Sequence, residues 1–198
     1  MTLPCHYPVD LRVTNMADIK PTTACTNVEV HSSNVRFVRS SSSSLQTLSS
    51  LPTDQLVVLF TPAIPSADGQ EDPFECLGRS LSKRHARVRH VPFVAKVGLT
   101  DLHAAWIRKA GAVIVVNCDP ALLIDTKTNS NMPSQTKFAT QVAGILHGVQ
   151  GGSQIPLSSV YISPAATSPA TPSGYDNVVV CSSYSVAIME KAASMLMC

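Results

Sequence analysis

Charge is scarce in this chain. Lysine, arginine, aspartate and glutamate make up 14% of its 198 residues, and 15 basic against 13 acidic side chains leave a formal charge of +2. A balance so near neutral supplies no field to gather nucleic acid or an anionic membrane surface, and neither is expected as a partner. Apolar runs are short as well. None approaches the roughly 18 residues needed to span a bilayer. The opening MTLPCHYPVDLRVTN lacks the charged start and apolar middle of a secretory signal. The chain therefore reads as soluble and cytoplasmic.

The usual chemical signatures are missing too. Cys5, Cys25, Cys76, Cys118, Cys181 and Cys198 are widely scattered, with no Cys-x-x-Cys pair and no close histidine pair, so no metal site is expected and the thiols read as reduced and mostly buried. The turn after the first strand, FTPAIPSADGQEDP, has neither the Gly-x-Gly-x-x-Gly spacing that admits a pyrophosphate nor a Gly-Lys-Ser/Thr phosphate loop. No Gly-x-Ser-x-Gly elbow follows any strand. No cofactor is expected. Cys118 stands beside Asp119, whose carboxylate would raise a thiol pKa rather than lower it, so an inert core thiol is the reading there.

What is present is winding. From Gln55 to Pro120, β-branched apolar runs alternate with segments of helical period and break at Pro, Gly and Asp, the pattern of strand–helix–strand units around a parallel sheet. The 44% hydrophobic content is enough to bury a core. Strands are predicted at Leu56 to Phe60, in VRHVPFVAKV, at Ala112 to Cys118, at Ser158 to Ser163 and at Asn177 to Ser183. Pro92 places the second of these near the sheet edge or at a bulge.

Asp72, Pro73 and Glu75 look like the cap, first turn and capping-box acid of one helix. Thr100 caps the next, with Leu102, Ala105 and Trp106 on one face and Gly111 as a left-handed C-cap. Ser134 opens a third, on which Phe138, Val142, Ile145, Leu146 and Val149 share a face. A fourth closes the chain with Ile188, Ala192, Met195 and Leu196 turned inward. The basic stretch RHARVRH reads as a helix end and a solvated turn.

The expected fold is α/β, a doubly wound, mostly parallel five-stranded sheet in a flavodoxin-like three-layer sandwich over residues 55–198. Residues 1–54 are polar, broken by Thr, Asn and Pro, and carry the serine tract Ser40 to Ser44, so they are expected to form a flexible N-terminal arm. One strand-like piece there, VEVHSSNVRFV, offers edge pairing as the alternative.

In an open parallel sheet ligands collect at the carboxyl ends of the strands. That rule selects Thr61, after the first strand, and Asn117 and Asp119, after the third, as candidate ligand-binding residues. Helix or loop capping is the competing role for each.

With the strands placed, LVVLFTPAIP, DPFECLGRSLSKRHARVRHVPF, GLTDLHAAWIRKAGAVIVVNCDP and SSYSVAIMEKAASML resemble the C-terminal α/β sandwich domain of family 3 glycoside hydrolases. The likeness is to fungal β-N-acetylhexosaminidase-type members and covers roughly residues 55–198. In that family a preceding TIM barrel carries the aspartate nucleophile of a retaining mechanism, so the resemblance implies hydrolysis of O-glycosyl bonds by the whole enzyme. Fifty-four residues cannot form a barrel of about 250. No catalytic residue is therefore expected in this chain, and none of Glu29, Glu71, Glu75 or Glu190 matches a catalytic position. The implied partners are a carbohydrate ligand and either a barrel-bearing protein or a homodimer, with Trp106 and the loop Val97 to Leu99 contributing to the contact. The alternative is a stand-alone module that binds a small ligand or a protein.

Overall fold

The five apolar runs become five parallel strands, and a sixth strand joins them from within the predicted arm. The computed structural model describes residues 34–64, 72–119, 122, 132–149, 154–164 and 173–197. In chain order the elements are β1 (Val35–Arg39), α1 (Ser42–Ser49), β2 (Leu56–Pro62), α2 (Glu75–Ser82), β3 (Val88–Phe93), α3 (Asp101–Ile107), β4 (Ala110–Cys118), α4 (Met132–Gly148), β5 (Leu157–Ile162), β6 (Asn177–Cys181) and α5 (Val186–Leu196). The sheet has six strands in the order β1-β6-β5-β4-β2-β3. All neighbours are parallel except β1, which runs antiparallel along β6.

The sheet is thus one strand larger than the five predicted. Residues 34–54 belong to the packed structure rather than to a free arm, while residues 1–33 lie outside the described residues. The reason is tertiary. Only Val35 of β1 is fully buried, a pattern too weak to read locally, and the strand exists because β6 offers an edge from Cys181 back to Val178. α1 is held in the same way. Its cap Ser41 accepts from the Ser44 amide, and the buried Asn177 takes the Ser41 amide at 3.0 Å while donating to the hydroxyls of Ser44 and Ser158 at 3.1 Å each. Asp176 anchors the same corner, accepting from Ser44 Oγ and from the Leu157 amide.

Strand alternation divides the core between the two faces of the sheet. Val57, Leu59, Ile114 and Val116 pack with Leu48 of α1, Leu77 and Leu81 of α2, and Met189 and Leu196 of α5. Val58, Phe60, Val113 and Val115 pack with Ile107 of α3 and with Phe138, Val142 and Leu146 of α4. β3 is an edge strand, as Pro92 requires.

Three local expectations are corrected. α2 begins at Glu75 with Phe74 as its cap residue, because the Asp72 carboxylate closes the preceding turn by accepting from the Phe74 amide at 2.9 Å. α3 turns His103, Ala104 and Ile107 inward, leaving Ala105 and Leu102 exposed, the latter by 62%. Its start does obey the capping rule: the Thr100 amide donates to His103 Nδ1 at 3.0 Å, which leaves the ring proton on Nε2, facing the Pro92 carbonyl. Gly111 lies inside β4, not at a helix end. The β2–β4 register slips between Leu56 and Val57, and a Cβ at Gly111 would meet the exposed Gln55 side chain, whose flexible end would have to swing aside.

The feature that positions the site is a parting of strands. β2 and β4 pair only as far as Phe60 and Val115, whereas β2 continues along β3 to Pro62 and β4 continues along β5 to Cys118. At their carboxyl ends β2 and β4 therefore diverge, at the point where the connections leave in opposite directions.

Candidate functional site

Gln135 of α4 is the side chain that answers this parting. Its Oε1 accepts from the Cys118 amide at 2.8 Å and its Nε2 donates to the Cys118 carbonyl at 2.9 Å, satisfying the two backbone groups that β2 no longer reaches. Gln135 is fully buried. Sequence reasoning missed it, since a polar residue one position after the expected helix start carries no signal of its own.

The three predicted site residues separate into two groups. Thr61 is buried on the α2 face, with its hydroxyl 2.7 Å from His90 Nε2. The same nitrogen lies 3.5 Å from Asp72 Oδ2. A Thr–His–Asp grouping suggests nucleophilic catalysis, but that chemistry needs the base to face the hydroxyl through one ring nitrogen and the acid through the other. Here both partners share Nε2. The arrangement instead ties the start of α2 to β2 and β3, and it became visible only through the register that sets His90 opposite Leu59.

Asn117 and Asp119 lie on the other side of the divergence, against β5. Asn117 is 2% exposed, and its Nδ2 donates to Ser159 Oγ at 3.2 Å. Among the described residues its Oδ1 has no hydrogen-bond partner. Exchanging the amide oxygen and nitrogen does not remove the deficit, because one end of the group still lacks a partner among the described residues. Such an unpaired buried group costs about 1–3 kcal/mol. Asp119 donates its amide to the Ile162 carbonyl at 2.8 Å and accepts from Ser163 Oγ at 3.0 Å.

The register pairs Asn117 with Tyr161, which is half-buried. Burial, and then the nearby Asp119 carboxylate, push the Tyr161 phenol above its ordinary range. Tyr161 floors a groove of about 680 Å³ whose wall is the α4 surface carrying Met132, Thr136, Lys137 and Thr140.

The three described thiols offer no nucleophile. Burial raises Cys118 and Cys181 to about 12, with Asp119 adding to the shift at Cys118, and burial also raises Cys76. Among the described residues no cluster of His, Cys, Asp and Glu could hold a metal ion, and no helix is long and apolar enough to cross a membrane. The carboxylates of Glu75 and Glu190 are spent on exposed pairs with Arg79 and Lys83. Glu29 and Glu71 lie outside the described residues. Trp106 is only partly buried, beneath the Arg89 guanidinium at 5.0 Å, and Val94 and Val97, after β3, are 51% and 67% exposed.

Comparison with solved structures yields a fold-level likeness. A fungal multi-domain GH3 β-N-acetylglucosaminidase, described as containing a GCN5-related glucosamine N-acetyltransferase region, aligns over 82% of this chain with a TM-score of 0.56 and 17% identity. Zinc-bound CbsA from Thermotoga neapolitana aligns over 83% with a TM-score of 0.44 and 13% identity. The chain spans 16% of the first protein and 28% of the second. No family model and no curated protein sequence matches.

Proposed function

We infer that this chain is a supporting α/β domain related to the second domain of family 3 glycoside hydrolases. In this reading it binds a small carbohydrate at the carboxyl end of β4 through Asn117 and Asp119 and does not itself hydrolyse glycosides. The observation that carries the reading is the buried Asn117 side chain, whose Oδ1 has no partner among the described residues, beside the divergence of β2 and β4, where open parallel sheets receive their ligands. Further support comes from the topology. The five parallel strands follow the 2-1-3-4-5 order of flavodoxin-like sheets, with helices against both faces, in keeping with a three-layer sandwich. Thr61 lies on the opposite face of the sheet and is already engaged by His90. Raised, buried thiols suit the reducing cytoplasm.

Saturation-transfer NMR of the purified chain with N-acetylglucosamine, glucose, common nucleotides and acetyl-coenzyme A tests this. The sugars are expected to receive saturation and the nucleotides not. Chromogenic N-acetylglucosaminides are expected to stay intact, since no described carboxylate pair flanks a sugar-sized cleft. Saturation of acetyl-coenzyme A alone would shift the reading to the acetyltransferase named for the fungal protein. Turnover abolished by a substitution in this chain would overturn the non-catalytic role.

The exposed Val94, Val97 and Leu102 are the apolar side chains through which a second copy is expected to associate. Sedimentation across a concentration series checks it. A strictly monomeric species argues against any such contact.

A further inference from the structure

The near-neutral total charge hides an uneven distribution. Residues 83–109 hold seven of the chain's 15 basic side chains and one of its 13 acidic ones. The winding gathers most of these cations at one end of the sheet. Each helix runs back to deliver the next parallel strand, so the turn from α2 brings Arg84 and Arg87 to the amino end of β3, and the turn from α3 brings Arg108 and Lys109 to the amino end of β4. β3 and β4 flank β2, which separates the two turns by roughly 10 Å, two strand spacings. Arg87 is held beside the start of β2, where it donates to the Asp54 carbonyl at 2.6 Å. All four cations are exposed. Arg89, the second residue of β3, joins them from the α3 side, its guanidinium 5.0 Å from the centre of the Trp106 ring in the last turn of α3.

Local structure does not account for this much charge. Two helix C-termini carry about half a negative charge each, so together they offset roughly one of the five cations. Among the described residues Glu75 and Glu190 already pair with Arg79 and Lys83, which leaves Asp54 as the carboxylate at this end of the three strands. Four of the five cations are arginines, whose planar forks match phosphate oxygens, and one of them lies over an aromatic ring that stays partly open. The large apolar side chains that are exposed among the described residues, Val94, Val97, Leu102 and Val186, all follow the carboxyl ends of β3 and β6, so none of them is placed to enter a bilayer beside these arginines. From these observations we propose that the amino end of β2, β3 and β4 docks single-stranded nucleic acid: Arg84, Arg87, Arg108 and Lys109 take phosphates, and a base stacks against Arg89 and Trp106. A mononucleotide meets one or two of these cations, so affinity comes from several phosphates held at once. Asn117 and Asp119 lie at the opposite end of the sheet, and the sugar-binding reading stands or falls separately.

Fluorescence anisotropy of a labelled oligothymidylate of about 15 nucleotides, titrated with the full chain, tests the proposal. Unlabelled oligothymidylate, its duplex with oligoadenylate, polyglutamate and phosphatidylserine vesicles serve as competitors. The single strand is expected to bind, and to bind roughly 50- to 100-fold more weakly when salt rises from about 50 to 200 mM, the loss for about four or five phosphate contacts on a single strand. Binding should also change the emission of Trp106, the sole tryptophan. Arg84→Glu combined with Arg108→Glu alters two exposed positions, and should weaken binding at least about tenfold and flatten the salt dependence. Trp106→Leu and Arg89→Ala should each weaken it about fivefold or more, and the second variant keeps the test decisive if the first fails to fold. No binding of the oligonucleotide, or binding unchanged in the charge-reversed variant, overturns the site. Polyglutamate or vesicles that compete as well as unlabelled oligothymidylate at equal charge would reassign the surface to acidic proteins or membranes and overturn the nucleic-acid class. Equal competition by the duplex would overturn the stacked base.

Discussion

Phe138→Ala is expected to cost about 3–5 kcal/mol of folding stability, near the top of the range for a buried aromatic. Phe138 projects from α4 and is fully buried. Its ring lies flat on Phe93 of β3, with centroids 3.7 Å apart and planes 2° from parallel. It also meets Phe60 of β2 edge-on at 5.6 Å and His103 of α3 edge-on at 5.3 Å. Edge-on pairs are the more favourable geometry, so the value of the cluster lies in those two contacts and in the area removed from water rather than in the face-on stack. Removing the ring leaves a void bounded by four elements that cannot all close in together, and residual cavity volume adds to the lost transfer energy. Urea unfolding followed by circular dichroism measures the loss. Phe138→Leu, which keeps most of the volume, should cost well under half as much, and a loss below about 1 kcal/mol for the alanine variant would mean that α4 does not pack on this face.

Much of this architecture was legible because the strands that matter are buried on both faces. AVIVVNC and LVVLF read as strands without alternation, and both are fully covered over most of their length. Phe138, Val142 and Leu146 were legible for a related reason, as helical spacing alone selects the face that meets the sheet. What stayed hidden depended on partners far away in sequence. β1 is recruited by β6 across 136 or more intervening positions and α1 by Asn177, so neither has a local pattern that competes with its serine-rich composition. The face of α3 was misjudged for the opposite reason. Leu102 and Trp106 looked like its apolar stripe, but the polar His103 takes the buried place because its ring nitrogens serve the Thr100 amide and the Pro92 carbonyl.

The site divides along the same line. Strand ends can be read from sequence, and Thr61, Asn117 and Asp119 do sit at the ends of β2 and β4. Which face each side chain takes follows from register, and that separates Thr61, held by His90, from Asn117, held by Ser159. Tyr161 and Gln135 had no sequence signal. Tyr161 matters through its pairing with Asn117, and Gln135 through a gap between strands that no local pattern announces.

That gap leads to the second large effect. Gln135→Leu is expected to destabilise the chain by about 2–6 kcal/mol, because it strands two buried backbone groups at once, each worth about 1–3 kcal/mol when left unpaired. The Cys118 amide loses its acceptor and the Cys118 carbonyl its donor. β2 cannot replace the lost bonds, since its pairing with β4 ends at Phe60 and Val115. Leucine has similar bulk, so the loss reports polar satisfaction more than packing. Gln135→Glu separates the two bonds: its carboxylate still accepts from the amide but has no hydrogen for the carbonyl, and the resulting repulsion in a buried place should make it at least as damaging at neutral pH. Chemical denaturation gives the size of the effect, and hydrogen exchange gives its location. In the leucine variant the Cys118 amide should lose protection well beyond the change in global stability, while in the glutamate variant, where the amide keeps its acceptor, and at Val113 and Val115, deeper in β4, protection should follow the global value alone. A Gln135→Leu protein of nearly unchanged stability with a protected Cys118 amide would show that another group closes the gap between β2 and β4, and the crevice would then have to be placed elsewhere.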